Sequence, residues 1–476
     1  MKTLLLIFLP IALLSQTWTE PVQINTLQGS NSNADFCIDN SGNIHCVWRY
    51  KVESNYMHIY YSKSVDDGQT WSTPENVSQN TSLWMDNPHI VADSENNLHL
   101  TYDYNCGNYY QTLIVYRKFS GNAWSETDTV SIGWPGARHN RLVIDHNDKL
   151  YCFWFHDIQN GTTFYRVLEN GVWDEIQIPY NNNDSYFLSK IVTDPSNKLH
   201  CSWYRYLDGQ TSYDQRIVYS TYSNNIWSDP IQISNDFDAW TGNDIALNNS
   251  NNPHIIWRQV INDSIPSENG TLYSKFDGTY WSNPVIIAED ASDQAITIDI
   301  NNKTHIIDLE DLEDAYQLVH YQFINNEWLG EIIDDDFGNC GNKLISGEHF
   351  LYMTSILVQS LSPYNSSVVL RKYEITTSIE NKPIPAIDLY NIYPNPSTAN
   401  TTISYSIREA EYTSIKIYDL KGKLINTILE KKQAPGKYQI MWNGTDKNGK
   451  EVISGLYFIR LQAGRQIMTR SVEIIK

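Results

Sequence analysis

The residues best equipped for chemistry are histidines and arginines, and their spacing sorts them. Six of the twelve histidines, His45, His99, His200, His254, His305 and His349, are read at one place in a repeated phrase, which marks a fold position rather than a site. His146 falls in a turn, and His58 and His320 lie along outer strands. His89, His139 and His156 remain, at positions where a ligand could be met. Six of the nine arginines before residue 389, namely Arg49, Arg138, Arg141, Arg205, Arg216 and Arg258, stand at predicted strand ends or adjoining loops on one face. Guanidinium groups bind carboxylate or sulfate through paired hydrogen bonds. Tyr50, Tyr104, Tyr204, Tyr206 and Trp240 add aromatic area of the kind sugars stack on.

Adjacent repeats bring together His139, Arg141, His156, Tyr204 or Tyr206, and Arg216, types able to run β-elimination on a uronate. Arginine and a histidine would neutralise the carboxylate and acidify the neighbouring carbon, and a tyrosine or histidine would move the proton. The catalytic candidates are His139, His156, Tyr204 and Arg216; the ligand-binding candidates are Arg49, His89, Arg141, Arg205, Tyr206 and Arg258. Two alternatives stand beside elimination. A pair drawn from Asp35, Asp103, Asp157, Asp244 and Glu310 would suit hydrolysis. A platform that only binds glycan or protein needs no catalytic group. Zinc-ligand spacing, a phosphate loop and a nucleophile elbow are missing from the sequence, so neither metal nor cofactor is expected.

The elements that must position these residues follow from two alternating phrases. One runs "DFCIDNSGNIHCVWRY" (35–50), "HIVADSENNLHLTYDY" (89–104), "RLVIDHNDKLYCFWFH" (141–156), "KIVTDPSNKLHCSWYR" (190–205), "DIALNNSNNPHIIWRQ" (244–259) and "AITIDINNKTHIIDLE" (295–310), with a shortened "KLISGEHFLYMTS" (343–355). The other is a strand around Tyr61, Tyr116, Tyr165, Tyr219, Tyr273 and Tyr321, a polar turn, and then Trp71, Trp124, Trp173, Trp227, Trp281 and Trp328. Four short strands per unit, with turns rich in Asn, Asp and Gly and no helical periodicity, predict propeller blades. The seventh unit lacks its closing strand, while an unmatched "WTEPVQI" (18–24) opens the chain. The fold class is therefore all-β: a seven-bladed β-propeller over residues 17–377, closed by its N-terminal strand, followed by a small C-terminal β-sandwich.

The segment "SVDDGQTW", Ser64 to Trp71, resembles the Asp-box of the sialidase-like propeller superfamily, where the box is a fold element on the face away from the site. The resemblance makes Asp66 and Asp67 turn residues. Sialidases open on an Arg-Ile-Pro-like segment and have six blades; this chain has no such segment and seven units, which argues against sialidase activity. Seven-bladed polysaccharide lyases, such as those acting on ulvan, use His, Tyr and Arg in the manner described above, and the residue types here are similar to theirs.

Cysteine usage fits a propeller better than a disulfide scaffold. Cys46, Cys152 and Cys201 share one repeat position and read as small buried hydrophobes. Cys37 faces Cys46 across a predicted hairpin and is a candidate to bridge it; Cys106 and Cys340 lie in similar "NCGN" loops.

Charge divides the chain. Residues 17–388 carry 20 Lys and Arg against 48 Asp and Glu, whereas residues 389–476 carry 13 against 7. So acidic a first domain cannot hold a nucleic acid backbone and would be repelled by anionic membranes. "MKTLLLIFLPIALLSQ" reads as a signal peptide over residues 1–16, too short to span a bilayer, and no other segment is apolar enough to form a transmembrane helix. After a linker at 378–388, "YPNP" (393–396), "IYDLKGKLI" (417–425), "SGLYFIRL" (454–461) and the terminal lysine resemble the C-terminal sorting domain of the type IX secretion system of Bacteroidota. That resemblance covers residues 389–476 and implies export to the cell surface or the medium, with the secretion machinery as a partner. The expected ligand is a glycan or polysaccharide.

Overall fold

The computed structural model describes residues 18–475 except 52–55, 79–83, 106, 108–110, 134, 157–160, 181–183, 207–214, 235–238, 260–269, 290, 312–315, 325–326, 335–338, 362–363, 376–386, 399, 408–409, 420–422 and 465. All its regular elements are strands. Seven inner strands, Ser30–Ile38, Trp84–Ala92, Ala137–Ile144, Ser185–Thr193, Ala239–Leu247, Ala291–Ile298 and Asn339–Ser346, each pair antiparallel with a second strand that runs back outside them. The inner strands neighbour one another in chain order, and the first meets the last. The protein is a seven-bladed β-propeller with a C-terminal β-sandwich.

Closure falls to the N-terminal segment. Val22 and Gln23 pair with Leu370 and Val369 of the third strand of blade 7, and Thr19 and Ile24 donate backbone bonds to Lys372 and Val368. The Asn25 carboxamide oxygen accepts from the Val368 amide at 2.7 Å. Blade 7 thus obtains its fourth, outermost strand from the opposite end of the propeller, which covers the edge of Tyr364–Glu374.

Between blades the packing is apolar and repeated. Trp48, Tyr102, Trp154, Trp203 and Trp257 occupy one position on successive second strands, all buried. In blade 6 that position is Asp308, also buried.

The face carrying the turns between first and second strands is held by one polar device. Asp39 Oδ1 accepts from the amides of Ser41 and Asn43, both at 2.9 Å, while its Oδ2 meets His45 Nε2 at 3.1 Å; His45 Nδ1 meets the Tyr61 hydroxyl at 2.8 Å. Asp93–His99–Tyr116 and Asp194–His200–Tyr219 repeat it. Blade 3 substitutes Tyr151 for the histidine, and blade 6 ends the chain on His320 instead of a tyrosine. Burial holds the His45, His99 and His200 imidazoles below their ordinary pKa, so each is a neutral ring linking an ionised aspartate to a tyrosine hydroxyl. His349 departs from the expected pattern. It lies exposed in the turn, because the shortened hairpin shifts the register and gives the position to Tyr352, whose hydroxyl donates to Asp67 at 2.6 Å.

The "SVDDGQTW" segment is a turn on this same face. Asp66 accepts from the Thr70 amide and hydroxyl and from Ser64, which together bring its pKa down to about 2. Asp67 takes the Tyr352 hydroxyl and the Lys372 ammonium, tying blade 1 to blade 7. Gly68 is obligatory: φ is +77°, and a Cβ would stand 2.3 Å from Leu370.

The proposed Cys37–Cys46 bridge is absent. The register pairs Cys37 with His45 and Phe36 with Cys46, so the two thiols point to opposite faces of the hairpin, and both are free. Cys152 and Cys201 are likewise buried free thiols; the Cys106–Cys340 pairing lies outside the described residues.

In the C-terminal domain, strands Ile387–Tyr393, Thr401–Ile407 and Gly436–Trp442 form one sheet. Strands Glu411–Asp419, Leu424–Gln433, Gly455–Ala463 and Gln466–Ile474 form the other, and Ile403, Ile415, Trp442 and Ile459 fill the core. Its last strand also pairs with the outer strand of blade 6, Glu327–Asp334, through Gly330↔Ile467 and Glu331↔Gln466.

Asp194→Ala strips the turn of blade 4 of its acceptor for the Ser196 and Lys198 amides and for His200. A loss of about 1–3 kcal/mol is expected by denaturant titration, with ligand affinity at the far face unchanged.

Candidate functional site

The site is built by a bulge repeated in the inner strands. In each of the seven the register slips near the end facing away from the Asp-turns, as between Ser32 and Asp35, Asp86 and His89, and Arg138 and Arg141. At five of the bulges a residue takes positive φ: Asn33 (50°), Asn87 (46°), His139 (54°), Gly242 (100°) and Asp293 (53°). Such bulges re-aim side chains. Here they bring one register position of every blade to the channel: Asp35, His89, Arg141, Lys190, Asp244, Ala295 and Lys343, opposite Val47, Thr101, Phe153, Ser202, Ile256, Ile307 and Thr354. Six of these seven carry an ionisable group.

The belt is linked from blade to blade. Lys343 forms an ion pair with Asp35 Oδ1, and Asp35 Oδ2 accepts from the Ile90 amide at 2.9 Å and lies 3.3 Å from His89 Nδ1. His89 Nε2 faces an Arg141 Nη1 at 3.4 Å. Arg141 is aimed by bonds from Nε to the Ser189 carbonyl (2.6 Å) and from Nη1 to the Asn140 carbonyl (2.8 Å). Across the channel Lys190 stands 3.8 Å from Asp244. Burial opposes ionisation of Asp35, but Lys343 and His89 outweigh it and hold the carboxyl below its usual range. Burial keeps His89 below its usual pKa despite Asp35, so at neutral pH it is an uncharged ring with its proton on Nδ1 toward Asp35 and its Nε2 lone pair toward Arg141. The charged members are then Arg141, Lys190 and Lys343 against Asp35 and Asp244.

Above the belt is a second tier. Asp103, buried, accepts from Asn87 Nδ2 and Asn140 Nδ2, each at 2.8 Å, and from the His139 amide at 3.0 Å; burial nonetheless raises it to about 6. The His139 ring meets solvent but is crowded, edge-on to Phe187 at 5.5 Å. That loss of water, with the nearby Arg141 and Arg138 cations, pushes it down to about 4.

The candidates from sequence divide accordingly. His89, His139, Arg141 and Tyr204 come together: Tyr204 is buried, packs on Phe187 at 6.0 Å and interacts with Arg141, which faces it electrostatically. His156 is separated from them, 3 % exposed, with Nε2 at 3.0 Å from the Pro135 carbonyl and its ring edge-on to Phe164. Arg216 is buried on the third strand of blade 4, one strand further from the channel and paired in register with Arg205. Neither is presented to a ligand by the described residues.

Arg49 and Arg205 are engaged in the wall, Arg49 with Asp86 at 2.6 Å and Ser32 at 2.9 Å, Arg205 with Asp184 at 2.7 Å. Tyr206 packs in the core between blades 4 and 5, and Arg258 is half-buried at the end of its strand. Asp157 and the side chain of Trp240 fall outside the described residues. Sequence reading passed over Lys190 and Lys343 as site residues, although both open the same repeated phrase as Asp35, His89 and Arg141, and that alignment was the signal.

These features define a propeller with a polar, ion-lined throat. Residues 393–466 match the FlgD Ig-like domain family. No curated protein matches the chain in sequence. Among solved structures the propeller is similar to a polysaccharide lyase of family PL25, an ulvan lyase bound to -[GlcA(1-4)Rha3S]-, with a TM-score of 0.53 at 10% identity over 74% of this chain and 93% of that one. A second structure of a PL25 ulvan lyase gives a TM-score of 0.55 at 10% identity, over 73% and 95%. An α-L-arabinofuranosidase of Fusarium graminearum, of family GH93, gives 0.45 at 11% identity, over 74% and 97%. At 10% identity the likeness to the two lyase structures is one of fold.

Because the His139 ring is held neutral, its contribution to stability has a definite sign. The unfolded chain takes up a proton near the ordinary value of 6.5, while the folded protein refuses it until about 4. The stability that this ring confers is thus complete above 6.5 and lost as pH falls toward 4. His139→Gln should show a smaller fall in melting temperature between neutral pH and about pH 4.5 than the parent protein.

Proposed function

We propose that this is an exported propeller that binds anionic polysaccharide at its throat, with uronate as the charged unit. The single observation carrying this reading is the belt, in which Arg141, Lys190 and Lys343 converge on the channel of an otherwise strongly acidic domain. Cations fixed in a confined, partly desolvated throat attract a carboxylate far more strongly than the same groups on an open surface. The fold likeness to a uronate-bound lyase supports the same choice of ligand. The C-terminal β-sandwich is the proposed address, delivering the chain through type IX secretion to the cell surface or medium.

A second reading, β-elimination, is favoured by the Asp35–His89–Arg141 line. Asp35 fixes the tautomer of His89 and leaves Nε2 as a base, while Arg141 is placed to neutralise a uronate carboxylate. His89 or His139 would take the proton on the carbon next to the carboxylate, a double bond would form to the neighbouring ring carbon, and the glycosidic oxygen would depart with a proton from Tyr204 or water. On this geometry His156 and Arg216 lose their catalytic assignment to His89 and Arg141.

The test is a panel of uronate-containing polysaccharides, read by affinity, by absorbance of unsaturated uronate in the ultraviolet and by reducing ends. Arg141→Ala should weaken binding at least about tenfold, consistent with loss of a charge-assisted contact. His156→Gln should leave both binding and turnover in place. Full affinity in Arg141→Ala would remove the throat as the site.

A further inference from the structure

Above the cations of blades 3 and 4 the mouth turns aromatic. Phe155 and Phe187, both half-buried, meet at 5.1 Å with their rings inclined at 65°. Phe187 also packs on Tyr204, its partner in register, at 6.0 Å, and takes the exposed His139 ring edge-on at 5.5 Å. These rings form one ridge across the seam between the two blades. Other blades differ at the register position of Phe155: Arg49, Asp103 and Arg258 are polar, while Leu309 and Ile356 are covered in the core.

Two local features shape the ridge. Gly161 lies against Phe155 with φ at +68°, and a Cβ there would stand 2.9 Å from the ring, so glycine is what lets the phenylalanine lie in this place. His139 holds the bulge position with φ at 54°, where the other residues of positive φ are Asn33, Asn87, Gly242 and Asp293. Blade 3 alone puts a ring there, and at neutral pH that ring is uncharged.

The ridge adjoins the cation beneath it. Arg141 Nε donates to the carbonyl of Ser189, two residues past Phe187 on the same inner strand, a separation of about 7 Å. Nη1 is committed to Asn140 and faces His89, whereas Nη2 has no partner among the described residues. A carboxylate held at Nη2 leaves the next unit of its chain within reach of Phe155 and Phe187. Desolvation decides what that unit can be. The C–H face of a sugar gains apolar contact on the rings. A second carboxylate there would lose its hydration without a free cation to receive it: Arg138 is buried, Lys190 stands 3.8 Å from Asp244, and Lys343 is paired with Asp35.

We propose that Phe155 and Phe187, flanked by His139 and Tyr204, form a stacking subsite for an uncharged sugar next to the uronate held by Arg141. The inference rests on the throat as the polysaccharide site and narrows its ligand. That ligand is a polysaccharide in which uronate alternates with an uncharged sugar, and a homopolymer of uronate is disfavoured.

The experiment uses the full chain and two probes of equal length, an oligosaccharide alternating glucuronate with an uncharged N-acetylhexosamine and an oligoglucuronate. Affinities are measured by calorimetry at one ionic strength, with melting temperatures recorded for every variant. The parent should favour the alternating probe by about tenfold, the effect of apolar contact made by one sugar face. Phe187→Leu and Phe155→Leu, which keep apolar bulk but remove a ring, should bring the two affinities together by weakening the alternating probe alone. Arg141→Ala should weaken both probes; if it weakens neither, the throat is not the site and the subsite falls with it. Equal affinities in the parent, or the full preference kept in both leucine variants while Arg141→Ala weakens binding, overturns the stacking subsite and leaves the throat standing.

Discussion

Everything in this molecule hangs on ring closure. Seven sheets, each apolar on both faces, can bury those faces only against one another, and the last must meet the first. The seam at which this happens is tied at both faces. Asn25, Asn31 and Ser366 interlock backbone groups of blades 1 and 7, and Asp67 with Tyr352 and Lys372 does the same at the other face. Close-packed aromatic residues serve between successive blades, and specific polar contacts add to them, as at Arg49–Asp86, at Asp103 and where the ends join. Apolar packing alone would allow the ends to slip; directional bonds fix one register.

The repeated phrase made the architecture legible, because strands, turns and core positions follow from periodicity. It revealed the site only in part. His89 and Arg141 were visible, His89 as one of three histidines outside the architectural positions and Arg141 as one of six arginines gathered on one face. Lys190 and Lys343 were aligned with them at the head of the phrase, but the bulge that turns this position of every blade toward the channel is not announced by "KIVTD" or "KLISG", so the alignment was not read as a site. His156 and Arg216 show the converse. Both sit at strand ends, but side chains at neighbouring positions point to opposite faces, and these two point into walls.

The two tiers of the mouth differ in what they hold fixed. The Asp103 knot, with three donors from blades 2 and 3, is a structural brace whose cost in burial is visible in its raised pKa. The belt beneath it mixes the close Lys343–Asp35 ion pair with longer contacts, Arg141 to His89 at 3.4 Å and Lys190 to Asp244 at 3.8 Å. The two tiers thus differ in kind, a buried knot of hydrogen bonds above and a chain of ionisable groups below.

The N-terminal strand has a consequence for the order in which the chain becomes a protein. Its partners lie at Val369 and Leu370, more than three hundred residues later. While the polypeptide is being made, blades can form one after another by local hairpins, yet none of them is in a closed ring until the seventh has emerged. The first residues of the propeller must therefore wait for that partner until the seventh blade has been made. A process that acts on an unclosed chain has that interval in which to work, and the last pairing ends it.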